Sequence, residues 1–450
     1  MIKIYKILFI HLFISSLLFS NIIYETGSLK EFIAGECPTC AYDNFINHTS
    51  EGIAQEGYNI YAPDWIDVQN NGFGNYRIIS QNSESINHWK NIFSSFIQND
   101  FETTTQLLSD SLETFNYNLI EFTDTSLNRT YFMLRENLDY SYYDSNRVEI
   151  DTDDIEGSFK NGWGLYIINP NAENQQVIVE VPHPNDDFIS PYISLELFLQ
   201  IDAFSLMIAG AGREVKWTEE GDYNNNKSLS DPSRNANTPF NIFHEILCDS
   251  LIQLGPHSPI VFHMHSFDEN IAHEGFNSVI MSGGYDAEYA NKPIRDISSE
   301  HKDLINFTDE LIFTENHFSD LSFHPNFFVN DYYQVHYDSL FYYYGDSTYE
   351  IDHAYELLGP YNAVQMEYLR NYFNNTSVYE PWIQIELDEL PELFHQMDIN
   401  SELIYTEQYP VSYNNYEHFI DYYYPFMTSV KRYLDDWNNN TDNQPPNIIE

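Results

Sequence analysis

Basic residues are the scarcest class in this sequence: 19 lysines and arginines face 69 aspartates and glutamates, a formal charge of −50. A surface of that sign repels phosphate backbones and anionic headgroups, which excludes nucleic acid and acidic membranes as partners. Scarce lysine beside abundant Asn, Ile, Tyr and Phe reads as selection for acidity, as in saline habitats. Cysteine is nearly missing as well, with three in 450 residues. Cys37 and Cys40 have C-x-x-C spacing, but no second such pair follows and no thioredoxin-like strand precedes them, so a local disulfide after export is expected. Cys248 lies on the apolar side of NIFHEILCDSLIQL and reads as a small core residue. Long hydrophobic runs are confined to the first twenty residues. There Lys3 and Lys6 precede ILFIHLFISSLLF and Ser20, the form of a secretory signal peptide, too short for a membrane span. The mature chain is therefore expected outside the cytoplasm: secreted, periplasmic or at the cell surface, with no membrane span.

What is present is ample for a core: 42% hydrophobic residues, 16% aromatic. Residues 21–84 read as an irregular N-terminal segment with short strands at most, in which His48 and Glu51 have a structural reading. Residues 85–437 read as one α/β domain. HWKNIFSSFIQNDFETTTQLLSDSLETF has helical periodicity, and YNLIEFTD with RTYFMLRE flanks a turn as a hairpin would. GWGLYIINP and QQVIVEVPHP are expected as a second strand pair, followed by a helix through LELFLQI, the strand AFSLMIAGAG and a helix near 240–254. Strands alternating with helices after an antiparallel start predict a mixed, mostly parallel sheet flanked by helices. The aromatic and acidic stretch 331–356 reads as an exposed hairpin or insertion. FIDYYYPFMTSVKRYLDDW reads as a final helix, and 438–450 as a linker to a possible further module.

Three apolar runs carry the chemistry: VIVEVPHPNDD, PIVFHMHSFD and PWIQIELDELP. Each reads as a buried strand with ionisable residues at its C-terminal end, where open α/β sheets bind ligands. Zinc accepts imidazole nitrogen and carboxylate oxygen, and catalytic sites use three protein ligands. His183, His265 and a carboxylate from Asp186 or Asp187 meet that requirement; the spacing of three favours Asp186, and Asp187 would instead orient an imidazole. His263 alternates with His265 on one face and is an alternative ligand. Glu386 is left as general base.

These motifs resemble the zinc carboxypeptidase fold, including succinylglutamate desuccinylase-type deacylases, whose pattern is HxxE, a later His, and a Glu commonly followed by Leu. Here Asp186 stands where Glu is customary, and Glu386-Leu387 closes the pattern. A closer resemblance is to N-formylglutamate amidohydrolases, through Pro182-His183, Arg213 in AGAGREV, Asp231 in SDPSRN and His265-Ser266. It spans roughly residues 165–390, and SDPSRN departs from the D-x-N-R-like family segment. The resemblance implies zinc-assisted hydrolysis of an amide in a small acyl-amino acid or peptide-like substrate. Arg213 would stabilise the oxyanion or bind a substrate carboxylate, and Asp231, Arg234 and Asn235 would contact substrate. PHPNDD also resembles the A-H-P-D-D-E signature of PIG-L-type N-acetyl sugar deacetylases, without its final Glu or a downstream H-x-D-H. A non-catalytic acidic adhesion protein is the third reading, although no D-x-D-x-D-G calcium loop occurs.

Overall fold

Ten strands form one sheet in the computed structural model of the chain. It describes residues 22–49, 76–79, 83–109, 116–139, 142–143, 149–150, 158–184, 187, 189–212, 215, 229–233, 235–254, 259–267, 279–282, 297, 327–329, 382–388 and 413–439. The strands are β1 (Ile23–Gly27), β2 (Tyr117–Asp124), β3 (Arg129–Glu136), β4 (Leu165–Ile168), β5 (Asn174–Val181), β6 (Ala203–Ile208), β7 (Ile260–Phe267), β8 (Val279–Ser282), β9 (Phe327–Val329) and β10 (Trp382–Asp388). Their order across the sheet is β1-β2-β3-β4-β6-β5-β7-β10-β8-β9. Five of the nine neighbouring pairs are parallel, so the sheet is mixed and mostly parallel. Its centre, β6-β5-β7-β10, is parallel throughout.

The helices are α1 (Leu29–Ala34), α2 (Ser83–Ile97), α3 (Phe101–Ser109), α4 (Ser190–Gln200), α5 (Pro239–Leu254) and α6 (Tyr413–Asn439). One face of the sheet packs on α1, α4 and α6 through Phe32, Ile193, Leu197, Phe426 and Val430. The other packs on α2 and α5 through Ile92, Phe93, Phe243 and Leu247. Covering both faces is what lets the central strands read as continuous apolar runs. Strand alternation sends Val177, Val179, Phe262, Met264, Ile383 and Ile385 to the first face. The intervening positions toward the strand ends are Glu180, His263, His265 and Glu386, all buried.

The hairpin forms as predicted, in register from Tyr117↔Glu136 to Asp124↔Arg129. Cys37 and Cys40 form a disulfide, and Cys248 is a buried free thiol on α5. His48 is buried against Tyr42 and Phe159.

Three expectations are corrected. Residues 23–34, expected to be irregular with short strands at most, form a short edge strand parallel to β2 and, beyond that expectation, a helix whose Phe32 and Ile33 are fully buried. A five-residue strand and a six-residue helix are each too short to show a period in sequence. Nor do β4 and β5 pair: β6 lies between them, antiparallel to β4 and parallel to β5. Every residue of β6 is buried, so it needs a ladder on each edge, and only an interior position supplies two. The last helix also runs to Asn439, past the expected boundary at 437. The signal-like residues 1–20, Glu51, the stretch 331–356 and residues 440–450 lie outside the described residues. No described helix is long and apolar enough to cross a membrane.

The loop that enters β4 is held by one buried carboxylate. Glu136, ending β3, accepts the backbone N–H groups of Asn161 (2.6 Å) and Trp163 (3.3 Å). The loop then passes Gly164 at φ 102°, where any Cβ would run into the Ile208 carbonyl. Burial pushes the Glu136 carboxyl up from 4.5 to about 8, against the opposing pull of those N–H groups. The native state therefore binds a proton that the unfolded chain releases at its ordinary value. The resulting stability is fully present below the unfolded pKa and is lost as pH rises through about 8. Urea unfolding should show a loss on the order of 3–5 kcal/mol across that window. Glu136→Gln should flatten the slope, and an unchanged slope in this variant would refute the assignment.

Candidate metal centre

At the end of β5 the chain leaves the sheet through Pro182 and His183 and turns once before α4. Asp187 N–H donates to the His183 carbonyl at 3.1 Å, and Ser190 N–H donates to the Asp187 carbonyl at 2.9 Å. This single α-turn sets residues four apart on one side, so His183 and Asp187 face the same point. Pro191 then suits the first turn of α4. Asp186 lies outside the described residues. His265 comes from β7, whose register places its Cα opposite Glu386 of β10. Side chains paired in this way stand on one face of adjacent strands, about 4.8 Å apart.

Three atoms converge there. His183 Nδ1 is 3.2 Å from His265 Nδ1 and 3.2 Å from Asp187 Oδ2, and His265 Nδ1 is 2.7 Å from Asp187 Oδ2. All three residues are buried, as is Glu386. His183 Nε2 donates to Asp231 Oδ1 at 3.0 Å, which leaves the His183 Nδ1 lone pair directed at the other two atoms. Burial pushes the His265 imidazole down to about 3 even though Asp187 pulls the other way, so His265 is neutral. Without a cation, one proton on His265 Nδ1 must serve both neighbouring acceptors. A tetrahedral ion with bonds of 2.0–2.1 Å holds adjacent ligand atoms about 3.3 Å apart, close to the observed triangle, and satisfies all three. The donor set thus fits a divalent metal, and among the described residues it is the group of His, Cys, Asp and Glu so arranged.

Asp231, expected to contact substrate, lies 3.0 Å from His183 Nε2 through its Oδ1. Its Oδ1 also accepts the Ser233 N–H at 2.7 Å, an Asx turn that fixes the carboxylate. Asn235, likewise expected at the substrate, braces the same loop. Its Nδ2 donates to the Leu229 carbonyl at 2.8 Å, and its own carbonyl accepts from Asn241 Nδ2 of α5 at 2.8 Å. Arg213 and Arg234 lie outside the described residues. His263, the alternative ligand, is turned to Glu180 Oε2 at 2.9 Å. Glu180 bonds His244 of α5 with its other oxygen. The sequence reading passed over Glu180 and His244. The signal was there: an acid inside the apolar run VIVEV must be paired if it is buried.

No protein-family model matches the sequence, and no curated protein matches it. Solved structures do resemble it. N-formylglutamate amidohydrolase from Ralstonia eutropha JMP134 is 10% identical with a TM-score of 0.29, the match covering 60% of this chain and 96% of that one. A bacteriophage poly-gamma-glutamate hydrolase is 8% identical with a TM-score of 0.26, covering 61% and 90%. A metallo-carboxypeptidase from Burkholderia cenocepacia is 10% identical with a TM-score of 0.28, covering 73% and 68%. At scores this low the likeness bears no weight on what this chain does.

His265→Ala removes one corner of the triangle and should abolish stoichiometric binding of a divalent metal. Metal content after gel filtration of variant and wild type measures it, and equal content in both would refute the cluster as a metal centre.

Proposed function

We propose that the chain is an exported zinc hydrolase that cleaves the C–N bond of an acyl-amino acid or peptide-like substrate. The observation that carries this reading is the triangle of His183 Nδ1, His265 Nδ1 and Asp187 Oδ2, with Glu386 opposite His265 on the next strand. Two imidazoles and a carboxylate are a catalytic zinc set, with a position left open. Zinc held there supplies a Lewis acid for a carbonyl and lowers the pKa of a water molecule to about 7. Export rests on the signal-like first twenty residues, and the amide rests on the motif resemblance.

The chain's own residues divide the remaining work. Asp231 holds His183 in the tautomer that presents Nδ1. Asp187 is held by the turn that begins at His183, so its carboxylate is aimed before anything binds. Glu386 accepts a proton from the water that attacks the carbonyl carbon and returns it to the leaving nitrogen as the C–N bond breaks. Arg213 is assigned the substrate carboxylate or the oxyanion on the motif resemblance, with Arg234 as a second cation.

Glu386→Gln should keep its zinc and lose hydrolysis of N-acyl amino acids and short peptides by about 10²–10⁴-fold in kcat. Full turnover in this variant would remove Glu386 as the base. A wild-type protein without stoichiometric zinc, or whose hydrolysis survives a chelator, would overturn the proposed activity.

A further inference from the structure

Directly behind the metal centre, on the same face of the sheet, lies a second set of ionisable side chains that the proposed reaction does not use. Glu180 of β5 and His263 of β7 are opposite each other in register, two residues before His265 on its own strand. Glu180 Oε2 accepts from His263 Nδ1 at 2.9 Å, and Glu180 Oε1 is bonded to His244 Nδ1. His244 Nε2 in turn lies 3.8 Å from Cys248 Sγ, one turn further along α5. At the other end, the His263 ring meets the His265 ring at 4.8 Å between centroids and 66° between planes. Glu180, His244, His263 and Cys248 are all essentially inaccessible to water.

A carboxylate in such a place is costly unless it is paired. Burial would raise Glu180, but His244 and His263 outweigh it and hold the carboxyl down at about 2. Burial also opposes a charge on His244, yet Cys248 and Glu180 hold it well above its ordinary value. Burial lowers His263, which is neutral, and raises the Cys248 thiol. One ion pair is therefore sealed between a strand and a helix, with a neutral imidazole on the side that faces the metal centre. An apolar cluster of similar volume would serve the core as well or better, so stability alone gives little reason for this arrangement.

We propose that Glu180 is a positioning residue of the metal centre: by bonding His263 and His244 at once, it ties the ring against His265 to α5 and so fixes where His265 Nδ1 points. The inference rests on the metal site proposed above. With both Glu180 oxygens engaged, the His263 ring can neither flip nor tilt without breaking a buried bond. The His265 ring that packs on it is then held at the angle that brings Nδ1 to 3.2 Å from its counterpart on His183. Metal ligands are commonly oriented by hydrogen bonds to their outer nitrogen; here the restraint is a ring contact backed by a buried ion pair.

Cobalt(II) titration of the full chain tests this, since the d–d spectrum reports ligand geometry and the titration reports affinity. Wild type should bind one equivalent with a tetrahedral spectrum. Glu180→Gln can bond only one histidine in the original sense, and should weaken cobalt about tenfold or more and shift its d–d bands. Cys248→Ser, at the far end of the chain of contacts, should change neither. If Glu180→Gln does not fold cooperatively, Glu180→Gln combined with His244→Gln removes the ion pair without leaving a buried charge, and the same weakening and shift are expected. A folded Glu180 variant with wild-type affinity and spectrum, even at a lower melting temperature, overturns the positioning role alone. Wild type that binds no cobalt overturns the metal site and the inference together.

Discussion

The parallel register of β5, β7 and β10 is the constraint on which the rest depends. It pairs Glu180 with His263 and His265 with Glu386, and so lines up four ionisable groups on the α5 face of an otherwise apolar sheet centre. A slip of one residue in β7 would turn both histidines to the opposite face, among Val179, Ile383 and Ile385. The apolar residues of the first face hold that register, because they too would be turned over. Packing on α4 and α6 therefore sets the geometry of polar groups on the other side of the sheet.

Burial shapes the chemistry in the same way. His183, Asp187, Asp231 and His265 are sealed from water and so find partners within the protein. His183 is the hub: Nε2 is committed to Asp231 and Nδ1 faces Asp187 and His265. Asp231 comes from the loop before α5, and Asn241 of that helix anchors the loop by donating to the Pro232 carbonyl at 2.6 Å. α5 thus reaches the centre from two directions, through Asn241 and the Asp231 loop and through His244 and Glu180.

Much of this arrangement was legible in sequence. His183 and His265 each close an apolar run, and a polar residue at the end of a buried strand of an α/β sheet has few places to go. The sheet class followed from the alternation of strands and helices. The spacing of three favoured Asp186 over Asp187 in sequence; among the described residues it is the Asp187 carboxylate that meets both imidazoles. The insertion of β6 between β4 and β5 was hidden because strand order depends on which strand most needs two ladders, a property of the whole sheet. The role of Asp231 was hidden for a similar reason: its partner is 48 positions away, and no local pattern records the contact.

β1 pairs with β2 at the edge of the sheet, and the Leu29 N–H just beyond it donates to Asp124 Oδ2 at 2.9 Å across a sequence separation of 95. Glu25 is clasped by both terminal nitrogens of Arg135, at 2.7 and 2.8 Å, over a separation of 110. The cost of closing loops of that length favours pairing of this strand after the local β2–β3 hairpin has formed. On that cost alone, the earliest described strand is expected to dock late, as a latch on a hairpin already made.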